Sequence, residues 1–445
     1  MTESTPAPSE PAVATIHLSQ LLKSPVISES GESIGRVEDL IVRLPGGDTY
    51  PRVSGVVVGV GGRQVYVSAE NIAEFTVDRI TLTRNKVNLT GFERREGEVL
   101  LRADILGHRL IDVAAAELVR AYDVELDDTG SGWVLARLDT RRPARFFGLI
   151  KTSSGHASRD WKAFEPLIGH SQSMTVRVSG RVRGLKPAQL ADLLEDADKR
   201  EQGEILDRVH GDPELEADVF EELDPDKASR LLNDKSDADV AALLGRMRAD
   251  DAADAVMDLR QSRRRRVLDL MPAGQRTKVI TLMGFNPASA GGLMNVDIVS
   301  CGTDATAAQA VSVIAAAGAL QPEALLKMHI LAESGQLVGV ISLVALLQAA
   351  PGSRVADLMD SDPVRVAPEA DLTDVALLMA DYNLYTIPVV DQDDHVLGVV
   401  TVDDILEATI PEDWRRREPA PRPARESGPL TAENAGSGTG GPARS

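Results

Sequence analysis

The spacing of apolar residues changes along the chain, and each spacing predicts a different kind of element. Up to about residue 140, short runs rich in Val and Ile, such as 53–60 and 80–82, lie between turn signals such as Gly61-Gly62. This pattern is typical of strands in a small barrel. Between residues 185 and 285, apolar residues recur three or four positions apart, which predicts packed amphipathic helices. Both patterns alternate beyond residue 290, so we predict a multidomain α+β fold: a β-barrel-like N-terminal region, an all-α array and a tandem α/β pair.

The helical segment 185–285 also repeats a start signal about every twelve residues. Each start carries a side-chain oxygen that can cap the free amides of a first turn. The starts are Asp212-Pro213, Asp224-Pro225, Ser236-Asp237, Asp250-Asp251 and Ser262. Helices of this length cannot bury their apolar faces alone, which predicts that they stack into a superhelical array.

The same segment is strongly acidic. Residues 185–260 hold 22 Asp and Glu and fewer than half as many Lys and Arg. Disorder is the alternative for such a run, but the leucines keep helical spacing through it. We therefore expect the acids on an ordered surface, where so much like charge attracts hard cations.

Two passages of the N-terminal region echo each other. PVISESGESIGRVEDLIV, from Pro25, and RLIDVAAAELVRAYDVEL, from Arg109, superpose without a gap and place Asp39 on Asp123. The first has a glycine-flanked turn before a hydrophobic strand and resembles the PRC-barrel family. We assign a PRC-barrel-like domain to residues 16–92 and a degenerate second repeat to residues 93–150. The resemblance implies an adaptor that binds a protein partner, with a membrane protein among the candidates.

A second duplication lies between residues 290 and 410. LMNVDIVSCGTDATAAQAV, from Leu293, aligns with LMDSDPVRVAPEADLTDVA, from Leu358, and LVGVIS, from Leu337, aligns with VLGVVT, from Val396. Each copy reads as β-α-β-β-α. The pattern resembles a pair of CBS domains, which we place at residues 286–352 and 353–410, and paired CBS domains imply a homodimer.

The acidic helices, the junction AGGLM at residues 290–294 and the CBS-like pair together resemble the cytosolic half of MgtE-type magnesium transporters. The resemblance covers about residues 185–410 and includes the motif DDAAD at residues 250–254. In that family a membrane domain follows, whereas this chain continues into a Pro-, Arg- and Gly-rich tail. We therefore expect a magnesium-responsive regulatory protein without a pore of its own.

This resemblance implies Mg²⁺ as the ligand of the acidic surface, since Mg²⁺ prefers oxygen ligands and is often held by one or two carboxylates. Asp250 and Asp254 are one helical turn apart, so both project to the same side of a helix. On the CBS-like side the resemblance implies Asp381, Asp391 and Asp403 as partners. The structural alternative is that Asp250 caps its helix and Asp254 is a solvated surface acid.

CBS domains imply a second ligand, an adenine nucleotide, held by a Ser/Thr-x-x-Asp pattern after the last strand. Thr401 and Asp404 fit this pattern, whereas the first copy has Ser342 and Ala345 and lacks the acid. At most one nucleotide site is therefore expected. An adenine-nucleotide-binding or scaffolding protein without metal sensing is the alternative function, and Asp404 as a plain helix cap is the structural alternative.

The rest of the sequence narrows the class of protein. A single cysteine, Cys301, and an N-terminus without the regions of a signal peptide favour the cytoplasm. No apolar run approaches the length that spans a bilayer. We expect disorder in residues 1–15 and 411–445 and a linker at 151–184.

A net charge of −20 and 3% aromatic residues oppose nucleic-acid binding, so Arg263–Arg266 are expected to pair with acids. No catalytic constellation is present, so we expect no enzyme.

Overall fold

The computed structural model describes residues 14–44, 49–84, 91–95, 97–141, 158–167, 181–318, 320, 322 and 324–410. The tail at 411–445 and all but two residues of 1–15, both predicted to be disordered, lie outside the described residues. The N-terminal elements are β1 (Thr15–His17), α1 (Leu18–Leu21), β2 (Pro25–Ile27), β3 (Ser33–Arg43), β4 (Arg52–Val60), β5 (Arg63–Ser68), β6 (Ile72–Phe75), β7 (Ile80–Leu82), β8 (Glu98–Leu100), β9 (Arg109–Asp112), β10 (Glu117–Arg120), β11 (Asp123–Asp128), β12 (Trp133–Asp139), β13 (Ser158–Asp160) and β14 (Phe164–Pro166).

In the described part of the chain, eleven of these strands form one curled sheet. Its main path is β1-β11-β12-β4-β3-β2-β7-β6, and β13, β5 and β8 pair with β12, β4 and β3 respectively. The predicted turn Gly61-Gly62 joins β4 to β5, and both glycines have positive φ, 56° and 80°. A two-residue hairpin turn of this kind suits glycine because it has no Cβ. The remaining strands form a smaller sheet, β10-β9-β14.

The equivalent aspartates of the two echoing passages make equivalent hydrogen bonds. The backbone N–H of Ala103, just ahead of the second passage, donates to the carboxylate of Asp39 in the first at 3.0 Å. Reciprocally, the N–H of Ser19, at the equivalent place ahead of the first passage, donates to Asp123 in the second at 3.1 Å. Each repeat therefore supplies an aspartate to backbone N–H groups of the other.

The helical array is built from eight helices in the described residues. They are α2 (Pro187–Asp196), α3 (Lys199–Val209), α4 (Pro213–Glu221), α5 (Pro225–Asp234), α6 (Asp237–Leu244), α7 (Ala249–Asp258), α8 (Gln261–Leu270) and α9 (Ala273–Leu282). Asp212, Asp224 and Ser236 accept hydrogen bonds from first-turn amides of α4, α5 and α6, as the repeated start signal predicts. Arg263 and Arg266 bind the carboxylate of Asp237, so these two of the predicted arginine pairings are confirmed.

The C-terminal elements are α10 (Ala290–Leu293), β15 (Ser300–Gly302), α11 (Ala307–Ala316), β16 (Lys327–Leu331), β17 (Leu337–Ser342), α12 (Leu343–Gln348), α13 (Leu372–Tyr382), β18 (Thr386–Val390), β19 (Val396–Thr401) and α14 (Val402–Thr409). The first copy has the order β-α-β-β-α. In the second, a parallel bridge between Val366 and Val389 takes the place of the first strand. The predicted α+β fold class is thus confirmed.

The opening segment of each copy pairs with a strand of the other copy. Asn295, near the start of the first copy, forms two backbone hydrogen bonds of 2.8 Å with Val399 in the second, and Asp360, near the start of the second, binds Val340 in the same way at 2.8 and 3.0 Å. The crossing chain lies so close that a Cβ on Gly398 would approach the carbonyl oxygen of Asn295 to 2.6 Å. Glycine is therefore required there by close backbone approach.

We expect Gly398→Ala to lower the free energy of unfolding by about 1–3 kcal/mol, because the added methyl group forces the crossing segment away from β19. Urea denaturation of the full chain measures the change. Gly302→Ala is the matched control, since a Cβ at Gly302 would meet nothing within 4 Å. Equal stability of the two variants would contradict this interpretation.

The three regions pack directly on one another. One apolar core runs from Ile111 in the barrel through the array to Val375 and Ile405 in the second CBS-like copy. Arg109 donates from its guanidinium to the carbonyl oxygen of Asp196, at the end of α2, at 3.1 and 3.2 Å. Neighbouring regions therefore share both apolar and polar contacts.

Residues 158–167 differ from the prediction of a linker at 151–184. They form β13, which pairs with β12, and β14, which pairs with β9. Phe164 and Glu165 in β14 are both buried. The strands are only three residues long, too short for alternation of apolar and polar residues to reveal them. The rest of the predicted linker is described only from residue 181 onward.

His329 in β16 should make stability depend on pH. It is completely buried, its Nδ1 lies 3.1 Å from the carbonyl oxygen of Val299, and its Nε2 has no hydrogen-bond partner. Burial lowers its pKa from 6.5 to about 4. Because the unfolded chain takes up the proton first, the stability that neutral His329 contributes is complete above pH 6.5 and falls as the pH drops toward 4.

From pH 7 to pH 5 the wild type should lose about 2 kcal/mol more stability than His329→Leu, which has no imidazole to protonate. Urea denaturation at several pH values measures both curves. Parallel curves for the two proteins would show that His329 is not responsible.

Candidate functional site

Arg248 lies where the helical array meets the second CBS-like copy. It occupies the N-cap position of α7 and makes no side-chain cap hydrogen bond, so its guanidinium is free to reach other elements. Its Nε lies 2.6 Å from Asp251, and its terminal NH1 nitrogen lies 3.1 Å from Asp404 at the start of α14. Nε is also 3.4 Å from Glu221 at the end of α4, whose carboxylate accepts the backbone N–H of Arg248 at 2.6 Å. One arginine thus joins two array helices to α14.

Asp250 completes this group, which we call the Arg248 cluster: Glu221, Arg248, Asp250, Asp251 and Asp404. Asp250 lies in the first turn of α7, not at its N-cap, and only 7% of its surface is exposed. Its Oδ1 is buried without a hydrogen-bond partner. Burial raises the pKa of Asp250 to about 7, and the charge of Asp404 adds to this effect while Arg248 opposes it. Burying a hydrogen-bond acceptor without a partner costs free energy. A ligand that binds to oxygen would recover that free energy, so the position of Oδ1 suits such a ligand.

The Arg248 cluster holds more negative than positive charge. Four carboxylates act on one guanidinium. Burial raises the pKa of Glu221, Asp251 and Asp404 too, and nearby carboxylates contribute to each increase. Protonation or a bound cation can neutralise this surplus.

Of the other carboxylates that the resemblance implied as metal ligands, Asp403 lies beside the cluster: it is within hydrogen-bond distance of the Thr401 hydroxyl, and its charge contributes to the raised pKa of Asp404. Asp254, one turn along α7, and Asp381 and Asp403 are exposed. Asp391 accepts the backbone N–H groups of Asp393 and His395, both at 2.9 Å, and so shapes the turn between β18 and β19. Among the described residues no group of three or more His, Cys, Asp or Glu is arranged to hold a metal ion. The structure places Asp250 in the cluster and Asp403 beside it, and the role of all five carboxylates as ligands stays a prediction.

Thr401 and Asp404, the implied nucleotide-binding pair, are both buried and bound to each other. The hydroxyl of Thr401 donates to Oδ2 of Asp404 at 2.6 Å, while Oδ1 of Asp404 faces Arg248. In the first copy Ser342 accepts the N–H of Ala345 at 3.1 Å and caps α12. In this structure Asp404 therefore connects the CBS region to the array through its ion pair with Arg248. A ribose would have to compete with Arg248 for this carboxylate.

Sequence reasoning missed Glu221, Arg248 and Asp251. The helix N-caps of α4 to α8 fall at residues 212, 224, 236, 248 and 260, a strict period of twelve. The predicted starts of α7, at Asp250-Asp251, and of α8, at Ser262, are therefore each two residues late. The strict period puts Arg248 where Asp or Ser stands in the three preceding helices, and that substitution was the available signal.

Three segments of the chain match known domain families. Residues 14–93 match the PRC-barrel domain, residues 185–288 the MgtE intracellular N domain, and residues 355–410 the CBS domain. Over 161 residues the chain is 35% identical to the magnesium transporter MgtE of Thermus thermophilus, covering 36% of each protein. Over 228 residues it is 27% identical to the magnesium transporter MgtE of Bacillus subtilis, covering 51% of this chain and 50% of that protein. The chain thus spans about a third to a half of the length of these relatives.

Similar solved structures include the soluble part of a magnesium transporter, with a TM-score of 0.48 and 25% identity over 51% of this chain and 89% of that one. They also include the cytosolic domain of the Mg²⁺ channel MgtE in complex with ATP, with a TM-score of 0.48 and 28% identity over 51% of this chain and 92% of that one. In the part of this chain that the structure describes, no helix has the length and apolar character needed to cross a membrane. The chain is therefore related to the intracellular region of MgtE magnesium transporters, with a PRC-barrel domain ahead of the MgtE intracellular N domain and a CBS domain after it.

Proposed function

We propose that this protein is a cytoplasmic, non-enzymatic regulator that responds to Mg²⁺ at the junction between the helical array and the CBS region. The buried Oδ1 of Asp250, which has no hydrogen-bond partner, carries this proposal. It lies in a cluster whose carboxylates outnumber its single guanidinium. A divalent cation would relieve both the missing partner and the surplus charge.

The residues present fit Mg²⁺, which is commonly held by one or two carboxylates and keeps several waters. Asp250 on α7 would supply one carboxylate, and Asp251 or Asp404 the other. Because Asp404 belongs to the CBS region, an ion held with it would connect that region to the array. The clustered acids otherwise repel one another, at a cost on the order of 1–4 kcal/mol for a pair about 4 Å apart.

A regulator of this kind needs partners, and two parts of the chain are suited to bind them. The barrel is proposed to bind another protein, a membrane protein among the candidates, since PRC-barrel domains are adaptors. The CBS region is proposed to form a homodimer. Leu347 on α12 and Leu406 on α14 occupy equivalent positions of the two copies and are 64% and 51% exposed. Exposed leucines at matching positions suit a self-complementary apolar interface.

A second candidate function is adenine-nucleotide binding, which the bonded pair Thr401 and Asp404 favours. The carboxylate would accept hydrogen bonds from ribose hydroxyls, and it would have to leave Arg248 to do so. The lack of an acid at Ala345 limits this function to one site per chain.

Calorimetry with the full chain, stripped of metal by a chelator, tests the main proposal. Mg²⁺ titrated into it should give saturable binding and raise the melting temperature. Absence of both effects would refute Mg²⁺ sensing. ATP and AMP titrated in chelator test the second candidate, which one site per chain supports and the absence of binding excludes.

A further inference from the structure

We propose that Arg248 is an internal cation that keeps the helical array docked on the CBS region when no metal is bound. The proposal concerns control of the Mg²⁺ response, and to that extent it rests on the proposed function. The proposal is based on the ion pairs by which one guanidinium connects α4, α7 and α14.

The guanidinium of Arg248 lies at the junction between the array and the CBS region. Arg248 reaches across the junction to Asp404, which is 7% exposed and belongs to the CBS region. On the array side it contacts Glu221 and Asp251, whose side chains are 13% and 27% exposed. The Arg248 side chain itself is 20% exposed, so the ion pairs are sheltered from water and weakly screened by salt. Such pairs are costly to break from one side because the remaining charges stay buried without a partner.

The charges around the junction decide what Arg248 does. Glu221, Asp251 and Asp404 form ion pairs with it, the charges of Asp250 and Asp218 also act on it, and Glu407 acts on Asp251. Without the guanidinium, acids of α4 and α7 would oppose those of α14 across the interface. The array would then separate from the CBS region unless a metal ion replaced the missing charge.

Arg248 therefore performs part of the electrostatic task that a bridging Mg²⁺ would perform. In the wild type, Mg²⁺ is expected to stabilise an interface that is already closed. In a variant without the guanidinium, closure itself should depend on Mg²⁺. The amplitude of the metal response is thus set by one side chain of the array.

Hydrogen–deuterium exchange of the full chain tests this inference, read in peptides from the first turn of α7 and from residues 402–408. The wild type should already be protected in chelator, and Mg²⁺ should add less protection to it than to Arg248→Gln. In Arg248→Gln these peptides should exchange at least tenfold faster in chelator, and millimolar Mg²⁺ should restore protection. Arg248→Lys should remain protected in chelator because it keeps the charge. Arg265→Gln is the matched control, since the Arg265 side chain is 92% exposed and its ion pair with Asp269 stays within α8.

Full protection of Arg248→Gln in chelator would overturn the inference. If Arg248→Gln does not fold, Asp404→Asn tests it from the CBS side. That variant should be less protected than the wild type in chelator, and unchanged protection would again overturn the inference. Failure of the proposed function looks different: the wild type would bind no Mg²⁺, while Arg248→Gln would still open in chelator and would not close with metal.

Discussion

Asp250→Asn is expected to weaken Mg²⁺ binding at least tenfold, whereas Asp254→Asn should change it less than twofold. The two aspartates share a side of α7, but Asp250 is buried in the Arg248 cluster and Asp254 is exposed one turn away. Asn keeps the shape of Asp250 and removes the charge that attracts the ion. A tenfold loss corresponds to about 1.4 kcal/mol, which is modest for one ligand of a divalent cation.

Without metal, Asp250→Asn should melt at the same temperature as the wild type or higher, because it removes the cost of burying this carboxylate, together with its repulsion with Asp404. Calorimetry gives the affinities, and thermal denaturation in chelator gives the stability. Asp254→Asn serves as the matched control on the same helix. A variant Asp250→Asn that melts lower in chelator and keeps its full shift with Mg²⁺ would assign this residue a structural role.

The double variant Leu347→Glu/Leu406→Glu is expected to convert a homodimer into a monomer at micromolar concentration. Burying one exposed leucine contributes about 1.5 kcal/mol or more, and a twofold dimer buries four of these side chains, which makes on the order of 6 kcal/mol. Glutamates in their place would also have to be desolvated. The dissociation constant should therefore rise by more than a thousandfold.

Light scattering coupled to size-exclusion chromatography measures the mass of each variant. Leu270→Glu is the control, because Leu270 is 56% exposed but belongs to α8 of the array. The dimer proposal is wrong if the wild type is monomeric, or if the double variant keeps the mass of the wild type.

Local patterns were sufficient for much of the barrel and the array. The paired Val-rich strands around Gly61-Gly62 and the capped starts at Asp212, Asp224 and Ser236 depend on neighbours a few residues away, so the sequence predicts them. The equivalence of Asp39 and Asp123 was also visible. Their partners Ala103 and Ser19 were not, since these contacts join residues 64 and 104 positions apart.

Much of the candidate site was beyond sequence reasoning for the same physical reason. The sequence by itself determined that acids accumulate on short capped helices and that Asp250 and Asp254 share one side of α7. It could not determine which of the two is buried, because burial depends on how distant elements pack around the first turn of α7. Only the tertiary structure placed Asp404 opposite Arg248, 156 residues away in the chain. Helical periodicity defines the side of a helix on which a carboxylate lies, whereas the packing of distant elements decides whether it meets water, a proton or a cation.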